Sequence, residues 1–188
     1  MKRILLINAN PKSDSLCKAL AQRYAETAKK KYELIEVHIG ELVFNPDLSE
    51  GYQISSDLED DLKTIQQQII WATHIVFIVP VWWGGMPAKF KGLIDRIFLS
   101  GFAFQYEENK SIPRKLLTGR TAQIIVTLDT PVFWYKWIQG NPLYKQLKRT
   151  ILDFVGIKNQ SIHYFGPVIG SNDQQKERWL NKVESLVC

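Results

Sequence analysis

Along the chain, short unbroken apolar runs alternate with longer stretches whose apolar residues recur every three or four positions. The change of period separates strand from helix. Arg3 to Ile7 (RILLI) is a short buried strand, and SLCKALAQRYAETAKKKY after it carries Leu16, Leu20 and Tyr24 on one helical face. Glu33 to Ile39 predicts a second strand, and Val43 to Ser56, with Asn45-Pro46 and Gly51, predicts a loop. DLEDDLKTIQQQIIWA reads as an amphipathic helix with Leu58, Leu62, Ile65 and Ile69 on its buried stripe, and Asp57 as its N-cap.

His74 to Val79 (HIVFIV) is the strongest strand, as expected at the centre of a parallel sheet covered on both faces. A helix starts near Pro87, a residue favoured in the first helical turn. Gln123 to Leu128 form another buried strand. An aromatic loop follows, then a helix from about Asn141 to Val155 that stops at Gly156. QSIHYFGPVIG supplies a last strand and Asn172 to Val187 a last helix. Repeated strand–helix alternation predicts an α/β fold, a doubly wound five-stranded parallel sheet with helices on both faces. No internal repeat, low-complexity tract or linker divides residues 1–188, so a single domain is expected.

Composition narrows the function classes. Cys17 and Cys188 lie far apart and the histidines (His38, His74, His163) are scattered, which supports neither a disulfide framework nor a metal site. A reducing cytoplasm is the expected location. The apolar run Ile4 to Ile7 is too short for a signal peptide or a membrane span. The net charge of +5 is dispersed and accompanies no nucleic-acid motif, so no nucleic-acid partner is expected.

In open parallel sheets ligands bind beyond the carboxyl ends of the strands, where strand order reverses. The loops after Ile7, Val79 and Leu128 are therefore the candidates. The first, NANPKSDSLCKAL, has neither GxxxxGK[ST] nor GxGxxG. It places Ser13, Asp14 and Ser15 just before a helix: either an anion site at a helix N-terminus or simply a cap made by Ser13 or Asp14. The second, VFIVPVWWGGMPAKFKG, sets Trp82 and Trp83 before Gly84 and Gly85, with Pro80 and Pro87 stiffening either side. Bulk to stack on, then no Cβ, lets backbone approach a flat ring closely, and a flavin fits that description. The third, LDTPVFWYKWIQGNP, crowds Phe133, Trp134, Tyr135 and Trp137 together. It is a satellite hydrophobic cluster, a dimer interface, or one wall of a pocket for a flat substrate.

Together these stretches resemble the flavodoxin-like NAD(P)H:quinone oxidoreductases, the group of the quinone reductases and the modulator-of-drug-activity proteins. The resemblance rests on NANPKSDSLCKAL after the first strand, on ATHIVFIVPVWWGGMPAKFKGLIDRIFLSGFAF, and on LLTGRTAQIIVTLDTP continuing to LKRTILDFVGIKNQSIHYFGPV. It implies a flavodoxin-like fold and a bound flavin, FMN before FAD, since no adenine-binding extension is evident. Asn10, Ser15, Leu16 and Cys17 would meet the phosphate and ribityl chain. Pro80, Val81, Trp82, Trp83 and Gly84 would lie along the isoalloxazine ring, and Asp129, Thr130 and Pro131 at its far edge. NAD(P)H would be the co-substrate, a quinone-like small molecule the acceptor, and a homodimer the assembly, with no membrane insertion.

The chain departs from the family pattern in two places. Leu128-Asp129-Thr130-Pro131 stands where many members have a Thr-Thr-Gly-Gly type loop. Tyr135 falls roughly at a catalytic Tyr position, but no histidine occurs between His74 and His163 to pair with it. Two other readings compete with the enzyme. One is a flavin-binding ancillary regulatory subunit of a membrane ion-efflux system. The other is an electron-carrier flavodoxin, against which the sequence pI near 9.1 counts.

Overall fold

The computed structural model describes residues 1–48, 51–52, 58–108 and 110–187. Strands β1 (Arg3–Asn8), β2 (Glu33–His38), β3 (His74–Pro80), β6 (Thr121–Thr127) and β7 (Lys158–Phe165) form one sheet in the order β2-β1-β3-β6-β7. All its pairings are parallel. The expected five-stranded doubly wound sheet is present. A short antiparallel hairpin of β4 (Phe104–Gln105) and β5 (Arg114–Lys115) lies apart from it, and nothing in the apolar pattern anticipates it.

Successive side chains of a strand point to opposite faces, and the core divides accordingly. Ile4 and Leu6 of β1 and Val76 and Ile78 of β3 join Cys17, Leu20, Ala21 and Tyr24 of helix α1 (Leu16–Ala28) and Val183 of α6 (Asp173–Glu184). Leu5, Ile7, Ile75, Phe77 and Val79 face the other way. There they meet Leu62, Ile65 and Ile69 of α2 (Asp60–Trp71) and Phe90, Leu93 and Ile97 of α3 (Ala88–Ile97). Burying each such side chain is worth about 1.5–3 kcal/mol, so sliding a strand by one residue would exchange the two faces and forfeit both.

The helix ends differ in detail from the periodic reading. Ser15 caps α1, its hydroxyl accepting from Lys18 N at 3.2 Å, in place of Ser13 or Asp14. The N-cap position of α2 is Glu59; Asp57 lies outside the described residues. Glu59 accepts instead from the buried Arg96 of α3, at 2.6 Å, which fastens the two helices together. The stretch read as one helix to Gly156 is continuous but tightly varied: α4 (Pro142–Tyr144), a π-wound segment Lys145–Leu152, and α5 (Asp153–Val155).

Candidate functional site

β1 pairs with β2 on one side and β3 on the other, so strand order reverses between β1 and β3. The loops leaving β1, β3 and β6 meet beyond this point. Ala9 N donates to Ile78 O at 2.9 Å and Val81 N to Thr127 O at 2.8 Å, which fixes the loop bases side by side.

The β1–α1 loop is built from nested side-chain turns. Asn8 Oδ1 accepts from Asn10 N at 3.1 Å, and Asn10 Oδ1 from Lys12 N at 3.0 Å. Both asparagines are buried, which leaves the backbone few alternatives. The first amides of a helix have no intrahelical acceptor, and α1 carries no acidic side chain in its first turn to fill that role. Lys12, Lys18 and Ser13 line a cavity of about 100 Å³ beside it, together with Asn8, Asn10 and His38. Cys17 faces inward, 3.1 Å from Thr127 Oγ1, and burial pushes its thiol up to about 11. The thiol is neutral and ties the first turn of α1 to the end of β6.

The β3–α3 loop explains its own sequence. Trp82 N donates to Gly85 O at 2.9 Å and Gly85 N to Trp82 O at 3.0 Å, closing a tight turn. Its central residues Trp83 and Gly84 have φ of +50° and +80°. Positive φ at both central positions is the signature of a type I′ turn. Gly84 thus serves the turn itself. For a bulky residue such as Trp83 this region is a genuine outlier, costing on the order of 1–3 kcal/mol. The strained side chain is also fully solvent-exposed at 106%, and Trp82 is 45% exposed.

Tyr135 belongs to a π-wound turn, Trp134–Ile138, where the sequence suggests a loop. Its neighbours Phe133, Trp134, Trp137 and Ile138 are exposed, so no apolar stripe marks the helix. Tyr135 alone points inward at 0% exposure. Its hydroxyl donates to Gly84 O at 2.8 Å and accepts from Leu143 N at 3.0 Å. Burial raises its pKa. Of the β6 loop, Pro131 O accepts from Tyr135 N at 3.0 Å and begins this turn. Asp129 Oδ1 accepts from Ile169 N at 2.8 Å, tying the loop to the segment after β7.

The structure therefore gathers Asn10, Ser15, Leu16 and Cys17, the stretch Pro80 to Gly84, and Asp129 to Pro131 at one edge of the sheet. Three contributors went unrecognised in the sequence: Asn8, Thr127 and His38. A polar residue ending an apolar strand is the signal that would have found the first two. A larger cavity, about 710 Å³, lies elsewhere, walled by Phe98, Phe104, Tyr106 and Phe154. It contains no residue of the three loops.

A parallel sheet with a helix N-terminus and a stiff apolar turn facing each other across the switch point is the doubly wound architecture in which ligands bind beyond the strand ends. The chain belongs to the family described as having a flavodoxin-like fold, which it matches over residues 2–187. It is 28% identical over 182 residues to a Haemophilus influenzae protein named an uncharacterized NAD(P)H oxidoreductase, covering 94% of this chain and 89% of that one. It is 29% identical over 180 residues to the FMN-dependent NADH:quinone oxidoreductase of Caldicellulosiruptor saccharolyticus, covering 85% and 83%. The crystal structure of Smu.1420 from Streptococcus mutans UA159 superposes with a TM-score of 0.83 at 26% identity, over 98% of each chain.

The residues present fit a flavin mononucleotide. Free amides at α1, the hydroxyls of Ser13 and Ser15, and Lys12 and Lys18 suit a phosphate. The turn at Trp82–Gly85 offers rigid backbone and an aromatic face for a ring. No helix of the described residues is long and apolar enough to cross a membrane.

Proposed function

We propose that this chain is a flavin-dependent oxidoreductase that moves two electrons from NAD(P)H to a quinone or similar electron-poor aromatic. A hydride leaves the nicotinamide, and the quinone, with one proton from solvent, becomes the quinol. FMN supplies the electron-transfer chemistry, while the protein binds, orients and shields the reacting rings. Asn10, Ser15, Leu16 and Cys17 would hold the phosphate and ribityl end, and Pro80 to Gly84 would wall the ring. Asp129, Thr130 and Pro131 border the far edge. Tyr135 acts by positioning: its hydroxyl fixes the Gly84 carbonyl.

One observation carries this reading. The strained, exposed Trp83 turn and the phosphate-type loop converge at the sheet's switch point, in a chain whose relatives are named as NAD(P)H and quinone oxidoreductases. The exposed aromatic surface of Phe133, Trp134, Trp137 and Ile138 beside the site supports a homodimer that shares it. Light scattering should give twice the chain mass, and a monomer at working concentration would remove that part.

The deciding experiment is the visible spectrum of the FMN-loaded protein before and after anaerobic NADH and NADPH. Bleaching of the bound-flavin band by either nucleotide, with recovery on adding a quinone, is expected. Bound flavin that neither nucleotide reduces would favour the carrier or the regulatory subunit instead. No bound flavin would sink all three readings.

A further inference from the structure

We infer that neutral His38 positions the phosphate loop, so that protonating His38 weakens flavin binding. This rests on the reading of Asn10 to Cys17 as the flavin-phosphate loop.

In the parallel pairing of β1 with β2, Asn8 stands opposite His38. The Asn8 amide is oriented by its neighbour: a backbone N–H can only donate, so Asn10 N must face Asn8 Oδ1. The Asn8 NH₂ group is then the one directed at His38 Nδ1, 3.1 Å away. An amide NH₂ donates only, so Nδ1 must be the ring's lone-pair nitrogen. The ring proton is then left to Nε2, which lies 3.0 Å from the buried Glu36 Oε1 without making a well-aligned hydrogen bond to it. The hydrogen-bonded chain His38–Asn8–Asn10–Lys12 therefore admits one arrangement of protons, which requires a neutral imidazole.

A second proton, on Nδ1, would set N–H against NH₂ at 3.1 Å. The clash is relieved by rotating the Asn8 amide, which turns its NH₂ onto Asn10 N–H, or by withdrawing His38. Either releases the turn that holds Asn10, and Asn10 in turn holds Lys12 N. Asn8 is 1% exposed, so solvent does not stand in for the lost partner. The surrounding charges are mixed. Glu36 on β2 faces the ring, with Lys29, just past the end of α1, 3.9 Å from its other oxygen. Lys12 of the loop and Lys18 of α1, which is 4.0 Å from Glu41, face it across the small cavity.

The sign of the effect separates this role from plain electrostatics. An imidazolium near a phosphate should tighten binding, whereas loss of the loop geometry should loosen it. The test is dissociation of FMN from the loaded protein, read as recovery of free-flavin fluorescence on dilution, between about pH 8 and about pH 5.5, where histidines titrate. The flavin phosphate itself ionises near pH 6, so the reference is His38→Asn, whose Oδ1 can accept from Asn8 but takes up no proton. Relative to that variant, wild-type affinity should fall about three- to tenfold on acidification, the worth of one or two hydrogen bonds. An unchanged ratio, or a wild type that binds relatively tighter in acid, would overturn the inference. If His38→Asn does not fold, imidazole nitrogen-15 NMR of the wild type decides: the Nε2–H tautomer is required, and Nδ1–H refutes it. A wild type that binds no FMN at about pH 8 would instead refute the phosphate-loop reading on which the inference stands.

Discussion

At the residue scale the turn Trp82–Gly85 separates strain from function. Trp83→Ala keeps a Cβ at φ +50° and so keeps the strain while removing the ring. It should weaken FMN binding by about 0.5–1.5 kcal/mol, the worth of an aromatic face. Fluorescence titration that finds no change would show that Trp83 is not a ring wall. Trp83→Gly relieves the backbone as well, so the apoprotein should hold or gain up to about 1 kcal/mol while flavin binding weakens as it does in Trp83→Ala. Gly84→Val places a β-branched residue at φ +80° and should abolish flavin occupancy by breaking the turn. Tyr135→Phe strands the half-buried Gly84 carbonyl and the buried Leu143 amide, costing about 1–3 kcal/mol, and flavin should bind more weakly. A slower rate with unaltered flavin affinity would instead give Tyr135 a chemical role.

At the element scale α3 packs closely against the segment Asn45–Asp47. A Cβ on Gly92 would lie 2.8 Å from Pro46 O and closer still to Pro46 Cβ. Gly92→Ala should therefore push that segment off α3 and cost about 1–3 kcal/mol of stability, visible as a lower urea midpoint with an unchanged slope. A midpoint equal to wild type would mean the segment yields freely. Elements long enough to show a period were legible in the sequence: the alternating faces of β1 and β3 and the stripe of α2 need only local pattern. The hairpin at Phe104–Gln105 and Arg114–Lys115 was not, because its strands are too short to carry one. The π turn at Trp134–Ile138 was not, because its aromatics are mostly exposed and only Tyr135 turns inward.

At the scale of the whole molecule, buried His74 ties stability to pH. Its Nδ1 pairs with Thr121 Oγ1 at 2.7 Å at the start of β3, and burial lowers its pKa from 6.5 to about 4. The unfolded chain thus binds a proton that the native state refuses. Its contribution is fully present above pH 6.5 and is lost as pH falls from 6.5 towards 4, amounting to at most roughly 3 kcal/mol. His163, also lowered by burial, acts in the same direction. Urea midpoints should fall between about pH 6.5 and about pH 5, above the range of ordinary carboxylates. In His74→Gln that slope should flatten; an identical slope would assign it to other groups.

The sequence alone determined the five strands of the main sheet and the longer helices, the faces they bury, and where the loops with unusual chemistry fall. These are local properties, written in the period of apolar residues and in the placement of Gly, Pro and Trp. Tertiary structure decided what those residues do. That Gly84 answers to a type I′ turn, that Tyr135 braces that turn from inside, and that His38 reaches the β1 loop through Asn8 all depend on pairings between distant parts of the chain. No spacing along the chain encodes such pairings: the partners are 51 residues apart for Tyr135 and Gly84, and 30 for Asn8 and His38. They are brought together only when the parallel sheet sets its register.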